Sequence, residues 1–219
     1  MIENILKYIP ENHDNPYTIF DVGSRDCQQS IEFYHLFPHS KIYAFECNPN
    51  TLPLCRQNIE KYRDRITLIE GAVTNYDGNI LFYPIDQEKT VTTWKDGNPG
   101  ASSIFKSNGT YDAENYIQYE ISTNCHRLDT IMEIYGIEKV DILWMDLQGA
   151  ELLALESLGN NIDDVKLVYT EVSYKPIYEG QVLFTHLHDF MIKNGFKLQN
   201  NLSFRGWQED AIYSKLSSS

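Results

Sequence analysis

The stretch Thr18-Ile-Phe-Asp-Val-Gly-Ser-Arg-Asp-Cys-Gln-Gln-Ser30 (TIFDVGSRDCQQS) decides the fold. Apolar and β-branched residues run into Asp21 and Gly23, and the chain then turns polar toward a segment with helical spacing, the order of a strand, a tight turn and a helix. Working outward, runs of the same kind start at Tyr17 (YTIFDV), Lys41 (KIYAFE), Ile66 (ITLIEGAV), Asp141 (DILWMDL) and Lys166 (KLVYTEV). Several are apolar on both faces, as strands covered by helices on two sides must be. Between them, CQQSIEFYHLF and NTLPLCRQNIEKYRD carry apolar residues at helical spacing, the second entered through Asn48-Pro49. Strand and helix in alternation imply an α/β fold with a parallel sheet and right-handed crossovers.

The 219 residues suit one domain spanning 1–219. The pattern breaks between about 75 and 124, where NYDGNILFYPID suggests a turn and a short edge strand, KDGNPGASSIFKSNG a loop, and YIQYEIST another strand. An irregular stretch of that length in a compact domain is expected to be a lid or substrate loop. A helix over LFTHLHDFMIKNG, stopped by Gly195, precedes FKLQNNLSFRGWQEDAIYSKL, which suggests an antiparallel strand pair at a sheet edge. The closing Ser217–Ser219 is expected to lack fixed structure.

A net charge of −13 argues against nucleic acid as a partner, because phosphate backbones are held mostly by lysine and arginine. No run is apolar enough to span a bilayer, and the first residues lack the basic-then-apolar order of a secretory signal, so a cytoplasmic location is expected. Cys27, Cys47, Cys55 and Cys125 show no C-x-x-C pairing and are expected as reduced thiols, mainly in the core.

In a parallel α/β sheet, ligands bind beyond the carboxyl ends of the strands. Asp21 and Gly23 stand at such an end. Glu46 ends the next strand, at about the spacing where related folds place a ribose-binding carboxylate. The turn Gly23-Ser24-Arg25-Asp26-Cys27 lacks the glycines of G-x-G-x-x-G, which disfavours NAD or FAD. S-adenosylmethionine, with an amino-acid tail and a sulfonium in place of a pyrophosphate, tolerates such a turn.

Further motifs follow in order. FDVGSRDCQQS is similar to the DVGAN-x-G-x-x-S of the FkbM-type family of S-adenosylmethionine-dependent methyltransferases, and AFECNPNT to its x-x-EPNP. GAVTNYDGNILFY, GASSIF, STNCHRLDTIM and YTEVSYKPIYEGQ resemble later segments, and DILWMDLQGAELLALESL resembles D-x-I-K-I-D-x-E-G-A-E-x-x-V-L-x-G. The resemblance runs over nearly the whole chain. It implies a Rossmann-like class I methyltransferase fold, with a mostly parallel seven-stranded sheet, an antiparallel C-terminal strand and helices on both faces. It also implies a cofactor cradle of Asp21, Gly23, Ser24, Arg25, Asp26, Glu46, Cys47, Ala72, Val73 and Asp146, and an acceptor region at Ser102, Ser103, Tyr174 and Lys175. The departures are Ser24-Arg25 for Ala-Asn, Cys27 for a common glycine, Trp144 for lysine and Gln148 for glutamate.

Methyl transfer from a sulfonium is an in-line displacement, in which a base helps when the acceptor is an alcohol. Asp146, at the end of an apolar strand, is the first candidate for that base. Glu171, at the same position of the next strand, would assist, and His126 is a further candidate. Asp146 and Glu171 resemble the acid pair some class I methyltransferases use for magnesium, but the spacing supplies no other ligands and no metal is assigned. Trp94 and the tyrosines near 111–119 and 174–178 would flank the crevice. The expected activity is O-methylation of a hydroxyl on a sugar, a nucleotide-sugar or another small metabolite. A catalytically silent cofactor-binding or scaffold protein of the same fold is the alternative.

Overall fold

A computed structural model describes residues 2–9 and 14–216; the closing Ser217–Ser219, expected to lack fixed structure, lie outside the described residues. Along the chain come α1 (Glu3–Leu6), β1 (Thr18–Val22), α2 (Gln28–Leu36), β2 (Lys41–Glu46), α3 (Leu52–Asn58), β3 (Ile66–Glu70), β4 (Ala72–Val73) and β5 (Gly78–Phe82). After a long connection follow β6 (Ile121–His126), α4 (Leu128–Tyr135), β7 (Val140–Met145), α5 (Glu151–Glu156), β8 (Val165–Ser173), α6 (Phe184–Lys193), β9 (Phe196–Leu198) and β10 (Gln208–Lys215).

Seven strands form one sheet in the order β3-β2-β1-β7-β8-β10-β9. The first five are parallel, and β10 runs antiparallel to both β8 and β9. This is the class I methyltransferase arrangement implied by the sequence resemblance. Strand alternation sends residues to two cores. Ile19, Ile42, Ala44, Ile142 and Trp144 pack with Ile5, Phe33 and Cys55 of α1 to α3. Phe20, Val22, Phe45, Leu143 and Met145 pack with Met132, Ala154, Leu187 and Met191 of α4 to α6. Every residue of β7 is buried, its apolar 142–145 run between two helix layers and Asp141 against Lys139, Lys166 and the Thr18 amide.

Three local expectations change. The run ITLIEGAV is two strands: Gly71 breaks it, and Ala72–Val73 joins a separate three-stranded sheet ordered β4-β6-β5. The strand sought over YIQYEIST begins only at Ile121, because its pairing partner β5 ends at Phe82, opposite Ile121. The C-terminal strands are an antiparallel pair as expected, but the last strand, β10, lies inside the sheet and the three-residue β9 takes the edge. β10 pairs with β8 from Gln208↔Ser173 to Ser214↔Leu167, and its Ala211–Tyr213 centre is buried. The longer strand therefore fills the interior position. Cys27, Cys55 and Cys125 are buried free thiols and Cys47 is half-buried.

Candidate active site

Register sets the site. Val22 lies level with Phe45 on one side and Met145 on the other, so the residues just beyond, Gly23, Glu46 and Asp146, meet at one level past the carboxyl ends. The chain between β1 and α2 is pinned there: Gly23 and Ser24 donate their N–H groups to the Phe45 carbonyl at 3.1 and 2.9 Å, and Asp146 donates to the Val22 carbonyl at 3.0 Å. Gly23 adopts φ +86°, and a Cβ on it would fall 1.9 Å from the Asp146 carbonyl oxygen. Glycine is required here on both counts.

The Glu46 carboxylate gathers the neighbouring backbone. Its Oε1 accepts the amides of Cys47 (2.8 Å) and Asn48 (2.6 Å), and Oε2 accepts the Arg25 amide at 2.7 Å. One lone pair of Oε2 remains for a ligand hydroxyl. Burial pushes the Glu46 pKa up to about 7 against the pull of these amides. Asp21 has a different setting. It shares a sheet face with Ile19, so it points beneath the turn into α2, where the Ser30 hydroxyl donates to it at 2.5 Å. Burial raises its pKa to about 6.

Asp146 is exposed to the cavity beyond the strand ends and Glu171 is half-buried beside it. A single carboxamide joins them: Gln148 Nε2 donates to Asp146 Oδ1 at 2.6 Å and to Glu171 Oε2 at 3.1 Å. Gln208 Nε2 adds a donor to Glu171 at 2.5 Å. Crowding by protein atoms, with Asp210 nearby, raises the Asp146 pKa above the ordinary carboxylate range. Loss of hydration, with Asp146 and Glu151 close by, does the same for Glu171. Glu151, buried at the start of α5, accepts the amides of Leu147 and Gly149, and its pKa is pushed up to about 7 by burial.

The far wall comes from the connection between β5 and β6. Arg25 reaches from the β1–α2 turn to pair with Asp96 and lies over the Trp94 ring, 5.3 Å from its centroid. Asn48 donates to the Pro99 carbonyl (3.1 Å) and to Ser102 Oγ (2.9 Å), which holds this wall to the β2–α3 turn. The cavity, about 310 Å³ and open to solvent on one side, has apolar lining from Ala72, Val73, Phe82 and Ala101. Further lining is aromatic and acidic, with Trp94, Tyr111, Tyr116, Glu114, Asp146 and Glu171. That size and mixture suit a small organic ligand with a few fixed polar contacts.

Of the residues singled out from sequence, Gly23, Arg25, Glu46, Cys47, Ala72, Val73, Ser102, Asp146 and Glu171 line this cavity. Trp94, Tyr111 and Tyr116, expected to flank the crevice, line it as well, whereas the remaining cofactor, acceptor and base candidates lie off it. Asp21 is beneath the turn, Ser24 Oγ donates to the Asp21 carbonyl, and Asp26 receives the Gln28 amide at the start of α2. Ser103 Oγ donates to the Gln148 carbonyl at 2.8 Å. Tyr174 donates to Glu209 at 2.5 Å, and Lys175 lies over Trp207. His126 sits at the end of β6 against Gly71, where a Cβ would come within 2.6 Å of its ring. In each case the side chain is engaged by a local neighbour that motif order alone does not reveal. Sequence reasoning missed Asn48, Asn98, Glu114 and Gln208. Only Asn48 left a trace, as the Asn48-Pro49 helix-entry signal; Asn98 sat in a segment read as a loop, and Gln208 reaches the site only because β10 lies beside β8. Among the described residues no group of three or more His, Cys, Asp or Glu side chains is arranged to hold a metal, and no helix is long and apolar enough to cross a membrane.

The buried acids make stability depend on pH. Asp21, Glu46 and Glu151 all have folded-state pKa values above their unfolded ones, so the folded chain binds more protons and loses stability as pH rises through about 4 to 7. For Asp21, a shift from 3.8 to about 6 corresponds to about 3 kcal/mol. Carboxylates shifted down, such as Glu209, titrate at lower pH. Thermal melts are expected to show a higher Tm at pH 5.5 than at pH 8, with a smaller difference in Asp21→Asn. A wild-type Tm that is flat or rises with pH would contradict this.

The model of the methyltransferase FkbM domain matches residues 21–198 of the chain. Among curated proteins, the chain is 28% identical over 175 residues to the 2-O-methyltransferase NoeI of Sinorhizobium fredii, covering 79% of this chain and 70% of that protein. It is 21% identical over 172 residues to the hexuronic acid methyltransferase AglP of Haloferax volcanii, covering 78% and 62%. Among solved structures, a methyltransferase FkbM from Methylobacillus flagellatus superposes with a TM-score of 0.56 at 12% identity, over 91% of this chain and 43% of that one.

Proposed function

The chain belongs to the FkbM family of methyltransferases, and on that premise we propose that it transfers the methyl group of S-adenosylmethionine to a hydroxyl of an uncharged saccharide. The observation that carries this is the meeting of the Gly23 turn, Glu46 and Asp146 around one cavity with apolar and acidic lining. The sulfonium of the cofactor supplies an activated methyl group. Ala72, Val73, Phe82 and Ala101 offer an apolar surface for its adenine, and the open lone pair of Glu46 Oε2 a partner for a ribose hydroxyl. Asp146 and Glu171 place negative charge where the cationic end would lie. Asp146 would then accept the proton of the acceptor hydroxyl, while Trp94, Tyr111 and Tyr116 present ring faces to the sugar.

The charge of the wall narrows the acceptor. The lining has three acids on the acceptor side, Glu114, Asp146 and Glu171, against one cation, Arg25, which is engaged by Asp96. A uronate or a nucleotide diphosphate would bring further negative charge, at a cost on the order of 2–3 kcal/mol per charge at about 6 Å in a semi-polar site. With labelled S-adenosylmethionine, kcat/KM for a neutral methyl glycoside is expected to exceed that for the matching uronate about 10- to 100-fold. Equal or faster methylation of the uronate would overturn the assignment to neutral acceptors. Labelling of no saccharide in a broad panel, by protein that binds the cofactor, would overturn the saccharide assignment.

A further inference from the structure

The residue between Asp146 and Glu171 has a geometry that a bystander would not keep. Gln148 holds φ +51°, a left-handed conformation that costs a non-glycine residue roughly 1–2 kcal/mol. Its whole polar complement is committed. The two protons of Nε2 are divided between Asp146 Oδ1 (2.6 Å) and Glu171 Oε2 (3.1 Å). Its Oε1 faces the Tyr178 hydroxyl at 2.9 Å, and its backbone carbonyl accepts from Ser103 Oγ at 2.8 Å. Tyr178 is fully buried, and its hydroxyl also lies 2.8 Å from the Ala101 carbonyl in the cavity wall. The carboxamide orientation is therefore set by the two carboxylates, since reversing it would aim a carbonyl oxygen at both, and the one Tyr178 proton is shared between Gln148 Oε1 and the Ala101 carbonyl behind it.

We propose that Gln148 is a positioning residue: it holds Asp146 and Glu171 apart through one shared amide, aims Asp146 into the cavity, and ties that pair to the wall at Ala101 and Ser103. This rests on Asp146 being the proton acceptor.

Amide donors favour the charged form of a carboxylate, so Gln148 keeps Asp146 competent at lower pH than two adjacent acids would otherwise allow. The charged groups around Asp146 are Glu171 on β8, Asp210 on β10, Glu151 on α5 and Arg25 from the β1–α2 turn, with the hydroxyls of Tyr116, Tyr169 and Tyr178 nearby. Of these, only Arg25 is cationic, and Asp96 shares it. The neutral donor of Gln148 thus stands where a third carboxylate would add repulsion.

The test is the pH profile of kcat with saturating S-adenosylmethionine and a neutral methyl glycoside that the protein methylates, for wild type, Gln148→Glu and Tyr178→Phe. Gln148→Glu is expected to move the acid limb up by at least one pH unit, to recover part of its rate at pH 9, and to keep cofactor affinity within about threefold. Tyr178→Phe, which frees the carboxamide without adding charge, is expected to move the limb the same way by less; it stands alone should Gln148→Glu fail to fold. A rate lowered equally at every pH with the limb unmoved would mean that Gln148 is only structural, and would overturn the proposal. Asp146→Asn separates the two levels. If that variant turns over like wild type, the proton-acceptor assignment fails and the positioning role falls with it. If it is inactive while the Gln148→Glu and Tyr178→Phe profiles overlay wild type, the positioning role alone is overturned.

Discussion

Asp146→Asn is expected to lower kcat about 10²- to 10⁴-fold, the range for removing a general base, and this loss in kcat is expected beyond whatever S-adenosylmethionine affinity is lost with the carboxylate's charge. The substitution is close to isosteric, and an asparagine oxygen can still accept the Gln148 amide that now lies 2.6 Å from Asp146 Oδ1. What it cannot do is take the acceptor's proton. The loss should persist at saturating acceptor, because the proton moves in the transition state and not on binding. Single-turnover rates with pre-bound cofactor read the chemical step directly. A variant whose single-turnover rate matches wild type would remove Asp146 from the chemistry and leave it as a cofactor contact.

Gly23→Ala is expected to weaken cofactor binding at least about 100-fold in protein that still shows native circular dichroism. The new Cβ would sit 1.9 Å from the Asp146 carbonyl oxygen, which is backbone and cannot swing aside. Either the turn lifts from β7 or the end of β7 moves, and both shifts break the level at which Glu46, Arg25 and Asp146 meet. Strain from φ +86° adds roughly 1–2 kcal/mol. Gly109→Ala is the control: Gly109 has φ +72° but nothing within 4 Å of a new Cβ, so it carries the strain without the collision. Its cofactor affinity should be unchanged. Equal affinity in Gly23→Ala and Gly109→Ala would mean that the turn does not shape the site.

The sheet was legible because its interior strands are apolar on both faces, and DILWM could be little else. The floor of the site was legible for the same reason: a glycine or an acid that ends such a strand stands at the ligand end of the sheet. Legibility stopped where side chains find partners across the fold. Asp21 looks like a ligand contact until strand alternation turns it toward Ser30 on α2, nine residues on. His126 looks available until Gly71 packs against its ring. Ser102 and Ser103, expected to face an acceptor, spend their hydroxyls on the Pro99 and Gln148 carbonyls. The wall from Trp94 to Ser102 has almost no periodicity, because side-chain bonds hold it in place of a ladder: Asn48 to Pro99 and Ser102, Gln87 to the Asp96 carbonyl, and Asn98 to Glu114. Gln148 was visible only as a departure from a family pattern, and its left-handed backbone and shared amide needed coordinates.

The central claim is that the cavity past β1, β2 and β7 holds the methyl donor. Isothermal titration of wild type with S-adenosylhomocysteine, the demethylated product, tests it most directly. The account predicts one site per chain with a Kd of about 1–100 μM, or about −5.5 to −8 kcal/mol. A folded chain that gives no heat and no rise in Tm with the ligand at millimolar concentration would contradict it, leaving the Gly23 turn and Glu46 as backbone supports and nothing more.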